Sequence, residues 1–355
     1  MHIKKLKLAQ KLIRKNKNRE GIEILLKVIG EIIESNIPLK QDNQEAGQLL
    51  ASIFLVKGNR AIIFEYIKNL KQSYVIYFLH IVVDFGQLKG AIFGLEELYS
   101  LKKMELETLN FYLDILDSFM ERKKALSVAH EYLTIHHHLS LGELSATRFL
   151  DIWDKHISQE IKGTIANQEH DIELFSLFFK IVKILYCEGR LVEAETIVNT
   201  LQPMITCNQE LQTSKIKNGF NYFQYIAKLL PLKKQPNQDV TRTIYMVGDS
   251  HCLSPAWDTI AINSIHYQII PLLVTGCKIW HLRNNSTFHA KTNFYQAMEH
   301  IPQNSVAIFI FGEIDCREGI LQEVIKGTYA SSTKAIEKLI DIYIKRIMEI
   351  IKLRS

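Results

Sequence analysis

The chain has 355 residues, of which 47% are hydrophobic and 23% are charged, and its formal net charge is +5. This composition is ordinary for a folded globular protein and excludes a disordered chain. The weak positive charge is spread along the chain without a basic stripe, so we expect no nucleic-acid partner. The longest apolar runs, such as residues 269–274, are far shorter than the ~20 residues that cross a bilayer, so we expect no membrane span.

The cysteines predict a reducing compartment. They are odd in number and scattered without metal-ligand spacing: Cys187, Cys207, Cys252, Cys277 and Cys316. Such a set is typical of free thiols in a cytoplasmic protein. The basic start of the chain, residues 1–19, lacks the apolar core of a signal peptide. We therefore predict a cytoplasmic location and no metal site.

Residues 1–230 have the apolar periodicity of successive amphipathic helices. The clearest segments are residues 25–33, 44–56, 74–83, 109–120 and 172–186. In the last of these we expect four aromatic residues to lie in the core: Phe175, Phe178, Phe179 and Tyr186. The tract His136-His137-His138 predicts an exposed helix end, because adjacent side chains on a helix point ~100° apart and do not converge on one ion.

A polar turn followed by a small residue recurs where one predicted helix ends and the next begins. The small residues are Gly21, Ala61, Ala91, Ala125 and Ala194. Their spacing approaches the ~34-residue period of tetratricopeptide repeats, and residues 186–203 resemble that family most closely. The resemblance implies stacked helix pairs whose concave surface binds a protein or peptide partner. The alternative is an irregular helical bundle.

Residues 231–242 contain two prolines and no apolar period, which predicts a linker. Strand and helix patterns alternate after it, so residues 243–355 predict an α/β domain with a parallel sheet. The predicted strands are residues 244–247, 268–275, 278–282 and 306–311. The predicted helices are residues 255–263, with Ser254 as N-cap, then 292–301 and 334–353.

Two of these strands end in polar residues. Gly248-Asp249-Ser250-His251 follows the first strand, and Gly312-Glu313-Ile314-Asp315, with Arg317 close behind, follows the last. Ligands of open α/β sheets bind at the carboxyl ends of the strands. The two strand ends therefore predict a functional site.

Residues 248–251 resemble the first block of the SGNH (GDSL-like) hydrolases. Residues 274–280 are similar to the second block, and residues 311–319 take the place of the third. The resemblance covers residues 243–355. It implies that Ser250 is the nucleophile, that the Gly276 N–H binds the oxyanion, and that the substrate is an acyl ester, with a saccharide ester as the family-level expectation. It implies no cofactor or metal. Gly248 and Asp249 would shape the turn that presents Ser250.

The third block departs from the family pattern at Ile314, where the family has an asparagine that donates to the oxyanion. Arg317 is expected either to replace this donor or to neutralise Glu313 or Asp315. We expect these three charged residues to form a buried cluster near the site. Cys252 and Cys316 flank the strand ends and are expected to be small buried residues.

The family's Asp-x-x-His block, which supplies the general base, does not occur after Ser250. We therefore expect this chain to be part of a longer protein, or the base to come from His251, His266, His281 or His289. Two hypotheses follow. The first is an SGNH-type serine esterase or acyltransferase with a helical-repeat region, and the second is a non-catalytic helical scaffold whose α/β domain only binds.

Overall fold

The computed structural model describes residues 2–15, 17–34, 76, 79–80, 83, 88–100, 104–137, 166–206, 215–234, 236, 240, 242–286 and 288–354. The chain forms two compact units, Met1–Ile115 with Thr287–Thr292, and Leu116–Ser286 with Asn293–Ser355. The described parts of the chain are mostly helical and contain one four-stranded sheet, consistent with the predicted combination of a helical part and an α/β part. Across the described residues, no helix is both long and apolar enough to cross a membrane.

Helices precede the sheet. They are α1 (His2–Arg14), α2 (Asn18–Glu34), α3 (Leu88–Ser100), α4 (Leu106–Ser118), α5 (Arg122–His137), α6 (Ala166–Cys187), α7 (Leu191–Thr206) and α8 (Lys217–Leu229). Three predicted helices are confirmed by α2, α4 and α6. The predicted helix at 44–56 lies outside the described residues, and residues 76, 79–80 and 83 of the segment 74–83 are helical.

The predicted turn before a small residue is confirmed at the α1–α2, α4–α5 and α6–α7 connections. At Gly21 a side chain would lie 2.6 Å from Ile13 Cγ1, so only glycine lets α2 approach α1 this closely. Ala125 and Ala194 are also fully buried at their turns. Ala61 lies outside the described residues, and membership of the tetratricopeptide family stays a prediction.

The aromatic residues of α6 form the centre of a core. Phe175, Phe178, Phe179 and Tyr186 are all buried, as predicted. The ring of Phe179 lies 4.8 Å from that of Phe223 on α8. His136 is exposed in the last turn of α5, and His137 is the last residue of this helix, which confirms the predicted helix end.

The sheet has the strand order β2-β3-β1-β4. The strands are β1 (Arg242–Gly248), β2 (Thr259–Ile262), β3 (Ile265–Leu273) and β4 (Val306–Ile310). β1 lies between β3 and β4 and is parallel to both, whereas β2 is antiparallel to β3. The remaining helices are α9 (His289–Glu299), α10 (Ile320–Ile325) and α11 (Ser332–Arg354).

Two predicted elements are wrong, and the sheet is mixed rather than parallel. Residues 255–263 form a turn and β2 instead of a helix, because Asn263 and Ser264 both take positive φ and close a two-residue hairpin to β3. Residues 278–282 contain one turn of 3₁₀ helix, Ile279–Leu282, instead of a strand. The side chain of Asp315 binds the N–H groups that open this turn. The first error arises from a local turn, and the second from a contact distant in sequence that overrides the local apolar pattern.

The end of α6 packs against the loop that follows β1. The Tyr186 hydroxyl donates to the Leu253 carbonyl at 2.9 Å, and the Trp257 indole N–H donates to the Tyr186 carbonyl at 2.7 Å. A side chain at Gly189 would lie 3.0 Å from the Trp257 ring, so the turn after α6 carries glycine. The predicted linker at 231–242 and the domain limits on either side of it stay predictions.

A buried ion-pair network joins α4, α5 and α6. Asp117 Oδ1 accepts from Arg122 Nε at 2.8 Å, and Asp117 Oδ2 lies 2.9 Å from Lys183 Nζ. Burial by itself raises the pKa of Asp117, but Lys183 and Arg122 outweigh it and lower this pKa to about 2. The carboxylate thus stays charged between two cations that have little access to water.

We expect Asp117→Asn to lower the free energy of unfolding by ~3 kcal/mol or more, because it leaves two buried cations without their counter-charge. The folded pKa is depressed, so the carboxylate contributes stability above pH ~4, and this contribution disappears as the pH falls toward 2. Urea denaturation of both proteins at several pH values measures the difference. Glu193→Gln removes an exposed pair with Arg190 and should change stability by less than ~1 kcal/mol. Equal stability of Asp117→Asn and the wild type at pH 7 would contradict this account.

Candidate functional site

The carboxyl ends of three parallel strands meet at one edge of the sheet. Gly248 lies opposite Leu273 of β3 and opposite Ile310 of β4. The Asp249 N–H donates to the Ile310 carbonyl at 3.3 Å, and the Val274 N–H donates to the Gly248 carbonyl at 2.7 Å. The segments that follow these strands therefore begin side by side.

Gly248 allows this convergence because it has no side chain. A Cβ at this position would overlap the Ile310 carbonyl oxygen and lie 3.2 Å from the Ile310 Cβ. Two further glycines turn the neighbouring segments, since Gly276 has a φ of +67° and Gly312 a φ of +119°. Gly276 is exposed and a Cβ there would meet no atom within 4 Å, so its role is a backbone turn at the open face of the site.

Asp249 fixes the conformation of the residues that follow β1. It is 2% exposed, and its Oδ1 accepts from the His251 N–H at 3.0 Å as the cap of a 3₁₀ helix, Ser250–Leu253. Ser250 is the first residue of this helix and is half-buried. The N-cap of this 3₁₀ helix is thus Asp249. Ser250 lies partly exposed to solvent at the strand ends.

The ring of His251 turns back toward the same carboxylate. His251 Nδ1 lies 2.9 Å from Asp249 Oδ1, and the histidine side chain is 52% exposed. This places a carboxylate–imidazole pair directly beside Ser250.

The other candidate bases are placed differently. His266 belongs to β3 next to Tyr267, which lies opposite Arg242, so it is ~20 Å from the carboxyl end of β1. His281 Nδ1 accepts from the Lys278 N–H at 3.1 Å. His289 belongs to the other compact unit.

Asp315 connects the segment after β4 to the segment after β3. Its Oδ2 accepts from the Ile279 N–H at 2.6 Å and its Oδ1 from the Trp280 N–H at 3.2 Å. Burial raises the pKa of Asp315, and the two N–H groups only partly counter this effect. The carboxylate is therefore a structural cap for the turn Ile279–Leu282 and makes no ion pair with Arg317 in the described structure.

The expected buried cluster of Glu313, Asp315 and Arg317 is wrong. Only Asp315 is buried, whereas the Arg317 side chain is 60% exposed and pairs with Glu313 at 3.0 Å and with Glu318 at 2.9 Å. Arg317 therefore neutralises Glu313. Cys252 is buried as expected, but Cys316 is exposed because a π-helical turn, Asp315–Gly319, directs the residues after Asp315 to solvent.

Two features of this edge are not evident in the sequence. The first is a cluster of Asp249, His251 and Glu313, whose ligand-type atoms all lie within 4.8 Å of one another. The second is a cavity of about 260 Å³ beside Asp315, with Trp280 and Tyr329 in its lining. For the cluster, the sequence gives an indication in the polar residues that follow the strand ends. The cavity depends on where α10 and α11 pack.

No family model, curated protein or solved structure matches this chain. The likeness to the SGNH hydrolases therefore rests on the motifs in the sequence.

We expect Gly248→Ala to lower the free energy of unfolding by ~1–3 kcal/mol, because the new methyl group meets the backbone of β4. Urea denaturation checks this, and near-ultraviolet circular dichroism follows the packing around the strand ends. Gly319→Ala is the matched control, since a Cβ there meets no atom within 4 Å and its φ is negative. If Gly248→Ala were as stable as Gly319→Ala, the close approach of β1 to β4 at this point would be refuted.

Proposed function

We propose that this protein is a serine esterase or acyltransferase of the SGNH type that acts on an acyl ester. One observation carries the proposal: Ser250 follows a buried aspartate at the point where the carboxyl ends of three parallel strands meet. Substrates of open α/β sheets bind at this edge. The half-buried position of Ser250 leaves it within reach of a bound ester.

In the proposed reaction the Ser250 hydroxyl attacks the ester carbonyl, and the alcohol leaves as the acyl-enzyme forms. Water or an acceptor alcohol then takes the acyl group. His251 is proposed to accept the serine proton, directly or through one water, because Asp249 holds its Nδ1 and leaves Nε2 for proton transfer. A neutral serine without such a base is a poor nucleophile.

The oxyanion is proposed to be held by backbone donors, the N–H groups of Gly276 and Ser250. Ile314 has no donor where the family has asparagine, and Arg317 is paired with Glu313 and Glu318 rather than aimed at a developing charge. Loss of one such donor costs ~100- to 1000-fold in rate. We therefore propose a slow enzyme.

A saccharide ester is the proposed substrate class. Sugar rings pack on aromatic faces, and Trp280 and Tyr329 line the cavity beside Asp315, with ring centroids 6.4 Å apart in an edge-on pair. The Arg283 guanidinium lies 4.6 Å from the Trp280 ring and covers one of its faces. Lys278 and Glu318 add polar groups to the same lining. We further propose that the helices form tetratricopeptide-like repeats that bind a protein or peptide partner, and that the protein is cytoplasmic.

A non-catalytic scaffold is the second candidate. The observation that favours it is Glu313, a carboxylate within 4.8 Å of the Asp249–His251 pair. A negative charge at this position disfavours an oxyanion nearby. In this case the α/β part would bind a ligand at the same edge without turnover.

The test is serine labelling by a fluorophosphonate together with p-nitrophenyl acetate hydrolysis. We expect Ser250→Ala to abolish labelling and to lower hydrolysis at least ~1000-fold, because no other hydroxyl of the site replaces the nucleophile. His251→Gln should lower hydrolysis ~100-fold or more through loss of the base. Ser254→Ala, an exposed serine four residues further on, is the matched control and should leave both readouts unchanged.

Equal labelling of the wild type and Ser250→Ala would contradict the enzyme. A wild type that neither reacts nor hydrolyses, yet binds saccharides at this edge, would support the scaffold.

A further inference from the structure

We propose that Asp249, His251 and Glu313 form a binding site for one divalent transition-metal ion, with Zn²⁺ as the representative. The three side chains come from the segments after β1 and β4, and their ligand-type atoms lie within 4.8 Å of one another. An imidazole with two carboxylates is a donor set that Zn²⁺ accepts in proteins. The site shares Asp249 and His251 with the proposed hydrolase chemistry, whereas Ser250 is not among the three ligands.

A buried oxygen without a partner marks the site. Asp249 is 2% exposed, and its Oδ1 receives the His251 N–H at 3.0 Å and faces His251 Nδ1 at 2.9 Å. Its Oδ2 is also buried and has no hydrogen-bond partner within the described part of the chain. Both oxygens belong to the carboxylate that contributes to the cluster. An unpaired buried carboxylate oxygen is costly, and a cation that the Asp249 carboxylate binds through both of its oxygens would satisfy it.

The spacing of the ligands fits an ion after a small adjustment. Zn²⁺ binds nitrogen and oxygen at ~2.0–2.2 Å in tetrahedral sites, so two of its ligands lie ~3.4 Å apart. Asp249 Oδ1 and His251 Nδ1 are 2.9 Å apart in their hydrogen bond, so this pair opens by ~0.5 Å to bind the ion. Glu313 is 37% exposed at its side chain and is free to rotate toward the pair from the solvent side.

Arg317 is the competing cation at this site. Its guanidinium holds Glu313 Oε1 at 3.0 Å and also holds Glu318 Oε1 at 2.9 Å. Because the Arg317 side chain is 60% exposed, it keeps its contact with Glu318 when Glu313 turns to an ion. A divalent ion bound to Glu313 therefore takes the place of one of the two ion pairs of Arg317, and the pair with Glu318 remains.

The donor set also defines the selectivity. Imidazole suits Zn²⁺ and similar transition ions, whereas Mg²⁺ prefers oxygen ligands and keeps its waters. We expect a millimolar excess of Mg²⁺ to leave Zn²⁺ binding unchanged.

The test is isothermal titration calorimetry of the untagged, chelator-treated full chain with zinc chloride. We expect one ion per chain in the wild type and in Ser250→Ala. His251→Gln and Glu313→Gln should each weaken binding ~10-fold or more, because each removes one of three ligands. Asp249→Asn should do the same, with circular dichroism to check that the cap of the 3₁₀ helix survives.

Two controls separate this site from adventitious binding. The double variant His136→Gln with His137→Gln alters the two histidines at the end of α5 and should leave the affinity of the site unchanged. Glu323→Gln removes a carboxylate of α10 that pairs with Lys326, and should also have no effect. Arg317→Gln should tighten binding ~2- to 10-fold, because the competing positive charge is gone.

The proposal is overturned if the wild type binds no Zn²⁺. It is equally overturned if binding persists undiminished in both His251→Gln and Glu313→Gln, which would assign the ion to another part of the chain. Serine labelling is measured on the same samples, so failure of the metal site and failure of the hydrolase are distinguishable.

Discussion

The site depends on the close approach of the β1 backbone to the Ile310 carbonyl of β4, which only glycine at position 248 permits. This approach aligns the ends of β3, β1 and β4, and the next residue, Asp249, completes it by donating its N–H to Ile310. A side chain at 248 would separate the strand ends and move Asp249, Ser250 and His251 together. The arrangement of the polar residues is thus a consequence of a steric constraint in the sheet.

Two buried aspartates then make the strand ends rigid. Asp249 caps the helix that begins at Ser250, and Asp315 caps the turn that begins at Ile279. Each carboxylate accepts hydrogen bonds from backbone N–H groups and thereby stabilises the local conformation. The charged side chains of Glu313 and Arg317 lie on the exposed side of the same edge. This arrangement suits a ligand site. The buried aspartates hold the backbone in position, and the exposed charges outside them interact with the ligand.

Features set by the local sequence pattern can be predicted here, whereas features set by contacts within the fold cannot. The apolar runs of β1, β3 and β4, the long helices, and the edge that carries Gly248 to His251 follow from local pattern and are confirmed. The helix predicted at 255–263 is wrong, because part of this segment pairs with β3. Trp257 in the same segment also donates a hydrogen bond to α6. The orientation of Arg317 toward Glu313 and Glu318 depends on the π-helical turn at Asp315, for which residue types alone give no signal. The meeting of Glu313 with Asp249 and His251 likewise requires the strand order, since Glu313 is far from the other two in the chain.

The central claim is that the strand ends present the Ser250 hydroxyl to a bound ester. A crystal structure of the protein after reaction with a fluorophosphonate tests it most directly. The account predicts a phosphorus–oxygen bond at Ser250 Oγ, with the phosphoryl oxygen ~3 Å from the Gly276 N–H. A phosphoryl group on any other residue, or a Ser250 Oγ turned into the protein interior with no adduct, would contradict it.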